Sequence, residues 1–352
     1  MTHATGFPLT FPLAGVFQMF GVGVVQSRIF MIAWIFATLA TLFFIMRVFF
    51  DQKTAFFSVL LVATFSSFYA NGRTGTGEIP GFLFLLIALY FLYQDKGGPL
   101  RSMAGGFFAA LAAVTKPSMY LFVLPVMMLE ILIKICRRPP PNQVFSNANS
   151  TNSESQLHYD TQNLVWGGRF AKEIKKLSIF LIGTFPILLF WLWLINPAPF
   201  SLVSWHEMVV FYRDAFNAPS LLSQFPAVIP ELLTHSTIIY FFLIFIPIII
   251  AWRKNLFSSA QNRLILFLFL YGAVSFFYFL RSPGWFRYLL GTELLILAIL
   301  PAALSKFFIT PFRSSHNPSQ PPLTSRGGEN NKNPPLGARG VTGLRRLSQA
   351  RF

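Results

Sequence analysis

Among 352 residues there is one cysteine, Cys136, so neither a disulfide framework nor a thiolate metal cage can be built within the chain. Charge is scarce too: 11% of residues are Asp, Glu, Lys or Arg, against the roughly 25% of a soluble domain. That shortage excludes the soluble classes. The five histidines, His3, His158, His206, His235 and His316, lie too far apart to form a metal-ligand motif, so no metal and no cofactor is expected. Only 12 residues are acidic, which makes each carboxylate within an apolar region worth locating.

What replaces the missing charge is hydrocarbon. Hydrophobic residues make up 54% of the chain and 43 of them are phenylalanine, as lipid-facing and interhelical packing demands. Apolar stretches near the roughly 20 residues needed to cross a bilayer recur from Ile29 to Ile309, which rules out a single cleaved signal or a single anchor. The expected fold class is all-α, a polytopic transmembrane bundle of about nine helices. They are placed at 29–50, 54–70, 80–93, 103–114, 118–136, 177–196, 236–252, 264–280 and 288–309.

The net charge of +16 is not the signature of a nucleic-acid partner, because the cations are distributed as membrane proteins distribute them. Alternating the connections leaves six Lys and Arg on one side: Arg28, Arg73, Lys116, Arg213, Arg281 and Arg287. The other 22 of the 28 lie on the opposite side, which the positive-inside rule makes cytoplasmic. Residues 1–27 then read as an interfacial segment on the outer surface, broken by Pro8, Pro12 and the three glycines after them, with an expected transmembrane helix before it. Residues 28–309 form the membrane domain, with a polar cytoplasmic insert at 137–175 and an outer loop at 197–235. Residues 310–352 read as a disordered basic tail. The sequon at Asn149-Ser-Thr151 falls in the cytoplasmic insert and carries no expectation of glycosylation.

Ionisable groups at the outer mouth of a bundle are costly and invite functional readings. Three outer turns hold them. Asn71-Gly-Arg-Thr-Gly-Thr-Gly-Glu-Ile-Pro80 carries Arg73 and Glu78, Thr115-Lys-Pro-Ser118 carries Lys116, and Arg281-Ser-Pro-Gly-Trp-Phe-Arg-Tyr288 carries Arg281, Arg287 and Tyr288. Arg clamps a phosphate bidentately and Lys neutralises it as a point charge. The set therefore suits an anionic lipid headgroup beside a general base, Glu78. Solvated or headgroup-snorkelling side chains are the plain alternative. His206 and Glu207, in the loop at 197–235, are candidates for acceptor recognition.

These motifs, taken in order with Thr5-Gly-Phe-Pro8, Phe20-Gly-Val-Gly23 and Gly105-Gly106, resemble the GT-C superfamily of integral-membrane glycosyltransferases. The branch they resemble is the protein mannosyltransferase and aminoarabinose transferase-like one, and the likeness runs from residue 5 to about 308. It implies a polyprenyl-phosphate-linked sugar donor, an extracytoplasmic lipid, glycan or protein acceptor, and a multi-pass location in a bacterial plasma membrane. It also implies that Lys116, with Arg73 as the second candidate, meets the donor phosphate; Arg281 and Arg287 are candidates for the same phosphate through their charge and their place in the third outer turn. The family's acidic residue in the first outer loop has no counterpart here, since the sequence begins after that point, and the chain as given is therefore expected to be inactive or nearly so; Glu78 matches the second acidic position. A membrane transporter or flippase of an anionic lipid-linked substrate is the rival class. Against it stand the lack of an internal repeat and the small number of deep acids, Glu293 and Glu130.

Overall fold

The computed structural model describes the backbone of residues 5–94, 98–136, 154–196, 236–281 and 286–309, together with 201–204, 206, 207, 210, 226 and 230; side chains at 135–136, 154–170, 236–238, 281, 286–287 and 309 are outside the description. These residues form twelve α-helices and one 3-10 turn. In chain order they are α1 (Phe7–Phe20), α2 (Val24–Phe49), α3 (Gln52–Thr64), α4 (Ser66–Gly72), α5 (Glu78–Tyr93) and α6 (Pro99–Thr115). There follow α7 (Pro117–Tyr120), α8 (Val123–Cys136), α9 (Glu154–Ile195), α10 (Ser236–Arg253), α11 (Ser259–Arg281), the 3-10 turn Phe286–Leu289 and α12 (Leu290–Ile309). No strand occurs among the described residues. Hydrocarbon leaves no alternative to helix for an open chain, since every backbone N–H and C=O must find its partner within the segment.

Among the described residues, five helical stretches are long and apolar enough to span a bilayer: Val24–Phe49, Pro117–Lys134, Ala171–Ile195, Ser259–Leu280 and Leu290–Phe308. The pair α3 and α4, bent by 66° at Phe65, would make a sixth. All nine expected segments recur as helices, with three differences. The span expected at 54–70 is broken beside Ser66-Ser67, a serine pair of the kind that lets a helix kink without proline. The segment expected at 118–136 splits into α7 and α8. Helix α9 starts at Glu154, well inside the stretch read as the polar insert 137–175; the rest of that stretch, 137–153, lies outside the described residues, as do 197–200, most of 201–235, and the tail 310–352. Within residues 1–27, Phe7–Phe20 is helical, and α2 takes up Val24 onward.

Packing explains why α6 has the composition it has. It lies against both α5 and α9, its most extensive neighbours, and its contact positions are glycine and alanine: Gly105, Gly106, Ala109, Ala110, Ala112 and Ala113 are all buried. A methyl group at Gly106 would run into the carbonyl of Phe180 on α9, and one at Gly183 would run into the carbonyl of Met103 on α6. Thr184 Oγ1 donates to the Gly106 carbonyl at 3.2 Å. In lipid, where apolar side chains gain nothing by leaving solvent, such close backbone approach is what holds helices together.

Sparse polar ties fix the remaining helices. Ser58 Oγ on α3 donates to the Ala298 carbonyl of α12 at 2.5 Å, and Gln261 Nε2 on α11 reaches the Phe49 carbonyl ending α2 at 2.6 Å. At the C-terminal end of α5, Tyr93 donates to Glu130 of α8, whose carboxylate also pairs with Lys134 at 3.0 Å. Arg263 donates to the Tyr93 carbonyl at 2.8 Å. Many phenylalanines point away from the core, among them Phe36, Phe44, Phe56, Phe57, Phe185 and Phe277, as expected of a surface facing acyl chains.

Candidate functional site

Helix α5 positions the first residue of the site. Its 16 residues reach only about 24 Å at ~1.5 Å per residue, less than the ~30 Å of a hydrocarbon core. With one end at an interface, the other stops short of the opposite one. The N-terminal end begins at Glu78, preceded by Gly77 in the left-handed region (φ +87°). Glycine is required there on two counts: it takes that backbone conformation without strain, and a Cβ would lie 2.8 Å from the Thr115 carbonyl. Glu78 thus sits in the first turn of α5, where free backbone N–H groups favour a negative charge.

The second residue is set by a break between α6 and α7. Lys116 has φ −142° and ψ 83°, since the ring of the following Pro117 disfavours helical geometry before it. The break turns the Lys116 side chain towards Glu78, and Nζ lies 3.3 Å from Glu78 Oε1. Both side chains are buried, with 7% and 1% of their surface exposed. The second carboxylate oxygen, Oε2, is buried and has no hydrogen-bond partner. An ion pair with one acceptor unspent is a reactive arrangement: it holds a carboxylate out of water while leaving an oxygen free to take a proton.

Around the pair the backbone is braced from several elements. Tyr120, one turn beyond Lys116, donates from Oη to the Glu78 carbonyl at 2.8 Å. Its ring is wedged between helices: a Cβ at Gly81 of α5 would collide with it, and one at Gly291 of α12 would come within 3.2 Å. Tyr271 of α11 donates to the Met119 carbonyl at 3.1 Å. Gly6 N donates to the Thr115 carbonyl at 3.0 Å and Thr5 Oγ1 to the Thr76 carbonyl at 3.3 Å. The segment before α1 therefore clips together the two turns that carry Lys116 and Glu78. Within the glycine-rich turn, Thr74 donates to the Asn71 carbonyl at 2.9 Å and shares a 2.8 Å contact with the Thr76 hydroxyl.

Of the residues singled out from sequence, the fold brings Glu78 and Lys116 into direct contact. Arg73 lies on the same turn as Glu78 with its side chain exposed. Tyr288 is buried and packs edge-on against Tyr278 at 5.1 Å, in a 3-10 turn that touches α7; it is a packed residue next to the site. The side chains of Arg281 and Arg287 are outside the described residues. His206 and Glu207 are exposed, and no described contact joins them to the pair. Among the described residues no group of His, Cys, Asp and Glu could hold a metal ion. Sequence reasoning passed over Tyr120, although its spacing of four from Lys116 was a usable signal. Tyr271, 151 residues beyond Tyr120, carries no local signal at all.

Two comparisons bear on this geometry. The profile of the dolichyl-phosphate-mannose-protein mannosyltransferase family matches residues 8–140, which include Glu78, Lys116 and Tyr120. In fold, the chain is similar to ArnT from Cupriavidus metallidurans bound to undecaprenyl phosphate, with a TM-score of 0.52 and 16% identity over 86% of this chain and 50% of that one. The apo state of the same protein aligns over the same shares with a TM-score of 0.49. The chain thus spans about half the length of the solved structure it matches. No curated protein matches its sequence.

Proposed function

We propose that this chain, whose fold is that of the GT-C membrane glycosyltransferases, transfers a sugar from a polyprenyl-phosphate donor to an acceptor at the extracytoplasmic face. The observation that carries the reading is the buried Glu78–Lys116 pair with its spare carboxylate oxygen, held at the N-terminal end of α5. ArnT, whose fold it shares, binds undecaprenyl phosphate, and the matching family is described as using dolichyl-phosphate mannose. A donor of that type suits a site with one buried cation and one exposed, Lys116 and Arg73.

The chemistry follows from the pairing. A lipid phosphate arriving beside Lys116 competes with Glu78 for the ammonium group, as a charge-assisted contact of the same kind. Once released, the carboxylate is the better base. The acceptor hydroxyl attacks the anomeric carbon, its proton passes to Glu78, and the bond from that carbon to the phosphate oxygen breaks. The electron pair leaves on the lipid phosphate, where negative charge grows and Lys116 stabilises it. Arg281 and Arg287 are proposed to meet the same phosphate. Tyr288 is proposed to line the sugar's approach, and His206 and Glu207 to meet the acceptor, which is a lipid, a glycan or a protein.

The test is binding of undecaprenyl phosphate to the full chain in uncharged detergent. Lys116→Ala is expected to weaken it by about tenfold to a hundredfold, as loss of a charge-assisted contact worth roughly 1.5–3 kcal/mol implies. Lys96→Ala, assigned to the opposite face, should leave it unchanged. Equal losses would reduce the reading to general headgroup attraction.

A further inference from the structure

The bundle contains a second buried carboxyl that the proposed chemistry does not use. Glu293, in the first turn of α12, is 6% exposed, and Thr292 beside it is 8% exposed. Together they line a cavity of about 270 Å³ between α10, α11 and α12, otherwise walled by Phe241, Phe245, Phe269, Phe276 and other apolar residues. None of the lining residues belongs to α5, α6 or α7, so this space is separate from the Glu78–Lys116 pair, although it lies at the same end of the bundle. Gly291, two residues before Glu293, touches the Tyr120 ring that braces Glu78.

Neither polar group in the cavity has a protein partner among the described residues. Thr292 Oγ1 is buried with no hydrogen bond, and among the described residues no donor or cation meets Glu293. A desolvated carboxyl without a partner is costly and persists where something else satisfies it. The walls say what that is. Aromatic faces carry negative potential and attract cations within about 6 Å, most strongly out of water, and cages of such rings are the usual receptor for ammonium groups. Among the described lining residues, five rings, one carboxyl and no basic side chain make a container for positive charge on an apolar body. The same walls disfavour a phosphate or a carboxylate.

We infer that the Glu293 cavity is a binding site for an amphipathic ammonium compound, its cation held by the Glu293 carboxylate and the surrounding phenylalanine rings. The volume, slightly below the ~300 Å³ at which drug-sized pockets begin, limits the buried part to a small group such as a substituted ammonium with a short apolar arm. The cation can come from a lipid headgroup or from a free amine, and the test separates the two.

The experiment compares two probes of one shape in equilibrium dialysis with the full chain in uncharged detergent. One is tritiated phenethyl-trimethylammonium; the other is its neutral analogue with carbon in place of nitrogen. The intact chain should bind the cation about tenfold or more tightly than the neutral analogue, and Glu293→Gln should erase that preference while still binding the analogue. Asp51→Asn, which removes a carboxylate outside the cavity lining, should leave both affinities alone. Because the two probes are first compared on the unaltered chain, the outcome does not depend on the variant folding. Equal binding of both probes, tighter binding of the neutral one, or no saturable binding would overturn the proposal. Given the preference, displacement by added choline-headed lipid but not by free tetramethylammonium assigns the cation to a lipid, and the reverse assigns it to a soluble amine.

Discussion

Removing either member of the Glu78–Lys116 pair should harm the protein more than removing both. At 3.3 Å, two unit charges attract by about 5 kcal/mol at an effective dielectric near 20. Burial offsets much of that, because each ion has also lost its hydration. Lys116→Met leaves Glu78 buried with neither oxygen partnered, and Glu78→Gln leaves a buried ammonium facing an amide. Each single change is expected to destabilise by about 3–5 kcal/mol, whereas the double variant, which buries no net charge, should lose far less. The expected coupling is thus about 2–5 kcal/mol and of compensating sign. Unfolding titrations of the four proteins in mixed micelles measure it directly. If the losses add to within about 0.5 kcal/mol, the two charges do not interact and the account of the site fails with them. Function should show the opposite pattern: the double variant regains stability but not donor binding, since Lys116 is needed for the phosphate whether or not Glu78 is present.

Tyr120→Phe should lose about 0.5–1.5 kcal/mol through the hydrogen bond to the Glu78 carbonyl, measured in the same titration, while near-unchanged stability would show that the ring alone does the bracing. Gly106→Val forces Phe180 and Thr184 of α9 away. A loss of about 1–3 kcal/mol or more is expected, and wild-type stability would contradict the close crossing. Asp51 caps α3, accepting from Thr54 N at 2.9 Å, and that backbone hydrogen bond, the largest cause, holds its carboxyl below the ordinary 3.8. Because the folded-state value is depressed, the contribution is complete above pH ~4 and fades as the pH falls through the lowered value. Asp51→Ala should cost about 0.5–2 kcal/mol at neutral pH, and the difference from the unaltered chain should shrink in acid. Single-cysteine labelling from outside cells should modify Gly75→Cys and not Ser150→Cys; the reverse would place the Glu78 turn on the cytoplasmic face.

Apolar runs are long-range signals, and the helices were legible for that reason: a run such as Leu264 to Leu280 can do little else in a bilayer. Breaks within runs were harder. Pro117 announced the interruption at Lys116, whereas the bend at Phe65 has only two serines to mark it. The start of α9 at Glu154 was hidden because polar helix and polar loop differ little in composition. At the site, the sequence pointed to Glu78 and Lys116 as separate features of two turns 38 positions apart. Nothing local specifies that they meet, since the meeting depends on α5 and α6 packing face to face through Gly105 and Leu92. The unpartnered state of Glu293 was likewise invisible, because it is a property of three helices and not of the residue.

The glycine and alanine wall of α6 also bears on how this protein can change over time. At an ordinary buried position, exchange among large apolar residues is cheap and a hydroxyl is costly. Along α6 the order is inverted: serine, hardly larger than alanine and able to bond back to its own helix, should be tolerated at Ala109 or Ala113, while leucine, the most lipid-like choice, should be rejected. Drift across this helix is then filtered by girth and not by polarity, and the two turns fastened to its end inherit that constraint.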